Sequence, residues 1–217
     1  FLHQDKSPVQ YRLFILLAGI EMALGRETEA ARLIPWDMGS EYAVKLAEAG
    51  DYTKAQLYFT EALKKAEEFD PQGAPFIRSL ENIVGFYMYQ GNFAEVESIF
   101  KRTLTIHEKN NNPHGLVAGL TGLAELYLSQ GKLADAEALI NRALAVRENK
   151  QDDADLDMAL ILSARAKLNY AQGRFAEMEE LLKRVLAIRL KKMEPSDPEL
   201  ISVQSNLIEF YMSQKRF

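Results

Sequence analysis

The chain has 217 residues, a formal net charge of −5 and no cysteine. The acidic balance, without a dense Lys/Arg block, argues against general nucleic-acid binding, which needs a basic stripe. The missing cysteines exclude disulfides, cysteine zinc sites and thiol catalysis, and leave the compartment open.

Long Ala-, Leu-, Glu- and Lys-rich stretches with little β-branched clustering predict an all-α fold. The first of them is also the most apolar run, Leu13 to Leu24. It is too short to span a membrane and contains Glu21. No basic start or small-residue cleavage pattern marks it as a signal peptide, so a buried packing helix is expected, with a cytoplasmic location. The first residue is Phe rather than Met, which predicts a trimmed or processed product. Gly25 is followed by EAARLI, an echo of AEALI after Gly131, and Pro35 interrupts the helix. Residues 1–36 are therefore expected to form a degenerate helix pair.

Beyond it, Gly50, Gly91, Gly131 and Gly173 are spaced by 41, 40 and 42 residues. A fixed period in this range signals a repeat architecture, whose units bury their apolar faces against neighbours. Two residues after each glycine stand Tyr52, Phe93, Leu133 and Phe175; five after, Ala55, Val96, Ala136 and Met178. Nine after stand Phe59, Phe100, Ile140 and Leu182; twelve after, Ala62, Thr103, Ala143 and Val185. These steps of three and four draw one stripe along a helix. Each glycine is expected to end the preceding helix in a left-handed conformation, so each unit is a hairpin with a very short turn.

Connectors rich in turn residues and prolines separate the hairpins at 69–75, 110–115, 149–155 and 193–198. Units are expected at 37–69, 74–109, 114–149 and 155–192, with a half-repeat at 197–217, so that the array covers 37–217. Ser196 with Glu199, or Asp197-Pro198, starts the last helix. Lys215 stands where the next glycine would fall, leaving a hairpin without its second helix. Either a longer protein was cut there, or a lone helix caps the array. Its Leu200, Val203, Leu207 and Phe210 are expected to be partly uncovered, which makes self-association through the half-repeat an expectation.

The Leu-Gly, Tyr, Gly-x-Tyr, Ala, Phe and Ala positions resemble the tetratricopeptide repeat. Its ordinary period is 34 residues, so the longer units here depart from it. LAELYLSQGKLADAEALINRALAVRE (123–148) looks like the kinesin light chain type, and SDPELISVQSNLIEFYMSQKRF (196–217) resembles that type's repeat opening. The resemblance covers residues 40–217. It implies a right-handed α-solenoid of stacked antiparallel hairpins, a TPR superhelix that binds a protein or peptide segment in its concave groove.

Family geometry places inner-face residues 13, 10, 9, 6, 3 and 2 positions before each turn glycine. The partner-binding residues this implies are Arg78, Asn82, Tyr89, Glu125, Ser129, Lys167, Tyr170, Asn206, Glu209 and Met212. Asn82 and Asn206 occupy the position at which similar arrays hydrogen-bond a peptide backbone, a task suited to a group that donates and accepts. Gly122 and Ala164 occupy it in the intervening units, so a continuous asparagine ladder is absent. Arg78 and Lys167 mix with Glu81, Glu125 and Glu209, which favours an amphipathic or mixed-charge segment.

Nothing points to chemistry of bond making. No P-loop, GxGxxG or GxSxG is present, so no enzyme, cofactor or catalytic residue is expected. His3, His107 and His114 lack metal-ligand spacing and are expected to be solvated. The acidic groups Asp152, Asp153, Asp155 and Glu177, Glu179, Glu180 read as solvated faces and helix starts. Arg102, Arg142, Arg184, Arg147 and Arg189 repeat along the second helices, interleaved with Glu97, Glu137 and Glu179, and read as a solvated convex face. The alternative function is a ligand-sensing or regulatory part of a larger signalling protein.

Overall fold

The computed structural model describes residues 8–147, 156–192, 194 and 198–213. Among them are eleven helices and no strand, so the all-α fold is observed. Asp152, Asp153, Asp155, Ser196, Asp197 and Lys215 lie outside the described residues.

The chain divides into two compact units, Phe1–Ile99 and Phe100–Phe217. In the first, α1 (Pro8–Ala23) packs on α2 (Glu27–Leu33), and α3 (Trp36–Glu48) on α4 (Tyr52–Phe69). Helix α2 also meets α4, and α5 (Ala74–Tyr89) lies against both α3 and α4. Helix α6 (Phe93–Lys109) carries the division between the units. In the second unit, α7 (Pro113–Ser129) pairs with α8 (Leu133–Arg147), and α9 (Leu156–Ala171) with α10 (Phe175–Lys192). Helix α9 contacts α7 and α8, and α11 (Pro198–Ser213) closes on α10.

The turn glycines adopt the expected left-handed backbone, with φ of 83° at Gly50, 72° at Gly91, 71° at Gly131 and 74° at Gly173. One closure recurs at each: the amide three residues past the helix reaches back to a carbonyl in its last turn. Asp51 N donates to Leu46 O at 2.9 Å, Asn92 N to Tyr87 O at 2.9 Å and Arg174 N to Asn169 O at 2.8 Å. This satisfies carbonyls that a helix end leaves without partners. Gly25, with φ of 72°, makes the same closure through Arg26 N and Glu21 O at 2.8 Å.

Packing follows the predicted stripe with one informative exception. The residues five and twelve positions after the glycines are buried in every hairpin. Those at the second position are not: Phe93 and Phe175 are exposed, and Tyr52 and Leu133 half-buried. In the second unit Ala159, Leu162, Val185, Ile188 and Val203 form one core cluster. Ala166, Met178, Leu182, Leu207 and Phe210 form another.

The structure corrects several expectations. Helix α1 is not a buried packing helix: Ala18 is buried, but Leu13, Leu16, Leu17, Ile20 and Leu24 are 38–65% exposed. A run apolar on every side fixes no single buried face, and α1 packs on the short α2 through only part of its circumference. Leu200, Val203, Leu207 and Phe210 are buried, whereas Ile201, Ile208 and Met212 carry the exposed apolar surface of α11. Arg147 and Arg189 are buried rather than on a solvated face. Glu179 is buried too, accepting from Tyr211 Oη at 2.9 Å and paired with Lys183 Nζ at 2.9 Å.

Helix α7 shows why its sequence is rich in glycine. Gly115, Gly119 and Gly122 lie on the face that meets α6. A Cβ at Gly122 would fall 2.7 Å from Phe100 Cε1, and one at Gly119 would fall 2.9 Å from Leu104 Cδ2. At Gly115 the imidazole of His107 fills the Cβ position. Three side chains of α6 thus seat in three gaps of α7, a close approach that only glycine permits.

His107 is therefore a core residue, not a solvated one. Asn112 Nδ2 lies 3.3 Å from its Nδ1, while Asn112 Oδ1 accepts from Gly115 N at 3.0 Å and caps α7. Burial, and after it the nearby His114, lowers the His107 pKa from 6.5. Below that value the unfolded chain binds a proton that the folded chain resists. This contribution to stability is present above pH ~6.5 and is lost as the pH falls through the folded value. The melting temperature should fall between pH 7 and 5, with a shallower fall in His107→Gln; equal slopes would exclude His107 as the source.

Candidate protein-interaction surface

Two of the aromatic residues just past the turns, Tyr52 and Phe175, pair with rings of the next hairpin. Tyr52 opens α4, and its ring stacks on Tyr89 near the end of α5, with centroids 5.4 Å apart and planes at 29°. Phe86 lies behind, 6.4 Å from Tyr52. A hydrogen bond with Tyr89, and after it partial burial, holds the Tyr52 phenol above its ordinary pKa. Tyr89 nevertheless remains 74% exposed. Its backbone is fixed by the α5 turn and its ring by Tyr52, so an aromatic face is presented with its conformation already restricted.

On α5 the positions i, i+3 and i+7 share a face, which sets Asn82, Gly85 and Tyr89 in one row. Asn82 is half-buried, Arg78 is exposed, and Met88 is exposed beside the row. A Cβ built on Gly85 meets nothing within 4 Å, so the row has an open step at its middle. Val44 on α3, the neighbouring helix of this unit, is also exposed.

The second unit places Glu125 on α7 and Lys167 on α9 in an ion pair, Oε1 to Nζ 2.7 Å. They are 42 residues apart, one repeat period in sequence. Both side chains are about half exposed, so the pair contributes no more than about 1 kcal/mol to stability. Its consequence is electrostatic, because the two charges meet each other before they meet a ligand. Tyr170 is 61% exposed and packs edge-on against Phe175, centroids 5.8 Å apart. Phe175 in turn lies 6.1 Å from Phe210. Met212 on α11 is exposed. Ser129 is exposed, but its Oγ donates to Leu126 O at 2.7 Å. The side chains of Asn206 and Glu209 lie outside the described residues.

The gaps in the asparagine row have physical causes. At Gly122 the required space holds the Phe100 ring. At Ala164 the position is fully buried. Thr121 and Ser163 also turn back to their own helices, donating to Val117 O at 2.9 Å and Ala159 O at 2.7 Å. These faces of α7 and α9 serve packing where a ligand-binding row would need exposed carboxamides.

Sequence alone missed the Tyr52–Tyr89 stack, although a signal existed: one aromatic two residues after a turn glycine and another two before the next. It also missed His114 on Asp157, which joins the start of α7 to the start of α9, and Arg142 on Glu108. Both join residues from different repeats, and nothing local to either residue announces its partner. Among the described residues no group of three or more His, Asp or Glu is placed to hold a metal ion. No helix of the described residues is long and apolar enough to cross a membrane.

Two tetratricopeptide repeat models match the chain, over residues 76–149 and 158–199, together more than half of it. No curated protein matches. Solved structures share the fold at low identity. BtubC (BKLC) from P. vanneervenii superposes with a TM-score of 0.64 at 19% identity, over 98% of this chain and 86% of that one. A variant of a Podosopora anserina protein, described as a kinesin light chain with nearly identical TPR-like repeats, gives 0.60 at 19%, over 83% and 86%. PilF of Pseudomonas aeruginosa gives 0.50 at 15%, over 95% and 86%. Repeats of this family generally bind proteins or peptides and are not catalytic. Turn glycines at a 40–42-residue period, stacked hairpins and two family matches together assign the chain: it is a protein-interaction repeat scaffold of the tetratricopeptide repeat family, with repeats of the kinesin light chain-like type.

Proposed function

We propose that the chain acts by binding, without catalysis, a peptide or unfolded segment of a protein partner on the inner face of its first helices. The observation that carries this is Tyr89, 74% exposed yet held by its stack on Tyr52. Large aromatic rings with few rotatable bonds anchor interfaces at low entropic cost. Tyr89 is the anchor, Met88 and Val44 widen the apolar surface, and the Asn82 carboxamide contacts the ligand backbone. Gly85 lets that backbone approach α5 closely.

In the second unit Tyr170 and Met212 are the corresponding apolar contacts, with Asn206 and Glu209 on α11 and Ser129 on α7 as polar ones. The Glu125–Lys167 pair favours a segment of mixed charge, because a strongly acidic or basic one would have to break it.

A peptide array probed with the 217-residue chain identifies binding sequences, and titration of the best of them tests the residues. Tyr89→Ala is expected to weaken binding about 10- to 100-fold, with the melting temperature unchanged. Alanine at Asn82, at Asn206 and at both together is expected to weaken it progressively. Unchanged affinity in all three asparagine variants removes backbone recognition from the proposal, and unchanged affinity in Tyr89→Ala removes the anchor.

A further inference from the structure

Helices α3 and α5 of the first unit present two matched rows. Glu41, Val44 and Glu48 step by three and four along α3, and Asn82, Gly85 and Tyr89 by the same steps along α5. Each residue of the α3 row stands 41 residues before its counterpart on α5, the spacing of Gly50 and Gly91. The two helices are in contact, so this register sets Glu41 beside Asn82, Val44 beside Gly85 and Glu48 beside Tyr89. The backbone agrees. Glu48 ends α3, and the turn closed by Asp51 N on Leu46 O at 2.9 Å then delivers Tyr52 to its stack on Tyr89.

Glu48 does nothing for its own helix. It is exposed at the last position of α3, where the negative end of the helix dipole repels a carboxylate. Among the described residues it makes no ion pair. Lys45 is exposed on the same helix, four residues after Glu41 and three before Glu48. Acid before base is the favourable order, so Lys45 serves Glu41. Asp51, the other carboxylate of the turn, is occupied: it accepts from Lys54 N at 3.1 Å and lies 3.7 Å from Lys54 Nζ. Arg78 lies eleven residues before Tyr89, ~16 Å along α5. A local rule broken without a compensating gain is the mark of a functional position.

We propose, resting on the reading that a peptide segment binds this inner face, that the first unit selects an arginine of that segment. Its guanidinium lies flat on Tyr89 and donates to the Glu48 carboxylate. Tyr52 covers one face of the Tyr89 ring, which is still 74% exposed, so the other face is open to a cation. Glu48 and the end of α3 add negative potential beside it. A planar guanidinium stacks on the ring and bonds the carboxylate at once, whereas the lysine ammonium is a point charge. Gly85 sets the reach: a ligand backbone crossing there is one turn, ~6 Å, from Tyr89, a length that an extended arginine side chain spans. In the second unit Glu125 and Lys167 are spent on each other, and no such preference arises.

Heptapeptides with blocked ends, probed with the full 217-residue chain, test the assignment. The central position carries arginine, citrulline, lysine, leucine or glutamate, and the others an equal mixture of residues. Citrulline keeps the shape of arginine without its charge. Arginine peptides should bind about 10-fold more tightly than their citrulline counterparts, with lysine between them. In Glu48→Gln that ratio should fall to about one, the signature of a coupled pair. The melting temperature of this variant should hold or rise slightly, because the dipole no longer meets a charge. In Glu41→Gln the ratio should persist, since residue 41 lies ~10 Å along α3 from residue 48. Peptides that need Tyr89 yet show no preference for arginine overturn the proposal and leave peptide binding on this face standing. A chain that binds no peptide overturns both. An arginine preference unchanged in Glu48→Gln, or lost equally in Glu41→Gln, overturns the role of Glu48.

Discussion

Asparagine at Gly122, the substitution that would extend the row begun at Asn82, is expected to destabilise the second unit by about 1–3 kcal/mol. Its Cβ would stand 2.7 Å from Phe100 Cε1 and 2.8 Å from Cζ, inside any tolerable contact. The ring cannot simply retreat, because α6 and α7 are also keyed together by Leu104 over Gly119 and His107 over Gly115. Removing a helix glycine recovers part of the loss, since glycine is among the poorest helix formers, but asparagine is little better. Urea unfolding should show the midpoint falling in Gly122→Asn and partly recovering when Phe100→Leu is added. Additive effects of the two substitutions would mean that the ring and the new side chain do not meet.

Tyr58→Ala is expected to cost more, about 3–5 kcal/mol, by opening a large cavity in the first unit. Tyr58 on α4 is fully buried, edge-on to Tyr42 of α3 with centroids 4.8 Å apart and planes at 83°. Its hydroxyl donates to Glu27 Oε2 at 3.1 Å, and burial, with this bond, raises its pKa. Glu27 begins α2, so the ring joins three helices at once. Tyr58→Phe keeps the packing and should cost only about 1 kcal/mol, because Lys54 Nζ still holds Glu27 at 2.9 Å. Urea unfolding of both variants separates the two terms; equal losses would place the whole effect in the hydroxyl. Lys65 adds a second tie, donating from Nζ to Ala31 O at 2.9 Å and Ile34 O at 2.5 Å at the end of α2. Polar groups of α4 therefore hold the short helix that a Pro follows.

Much of the fold was legible because it is local. A left-handed residue after a helix, a stripe at offsets five, nine and twelve, and a short turn are all written within about 20 consecutive residues. The five turn glycines with φ between 71° and 83° show the repetition in the backbone itself. The candidate surface was legible only in part. Tyr89, Tyr170 and Met212 are exposed. Thr121 and Ser163, ten positions before Gly131 and Gly173, bond to their own helices.

The remaining failures share a cause. His107, Glu179, Arg147 and Arg189 look like surface residues by type, and each is buried. A polar residue can be buried when a specific partner satisfies it. For Glu179 it includes Tyr211, 32 residues away. For His107 it is a cap residue and the absence of a side chain at Gly115.

The apolar stripe of α1 failed in the opposite direction, exposed where burial was expected. Hydrophobicity states only that a face resists water, and which neighbour covers it depends on what stacks there. By itself the sequence determined the helices, their turns and the repeat, because those rest on spacing along one chain. Only the tertiary structure decided which residues face solvent, because stacking joins side chains about a period apart that no local pattern couples.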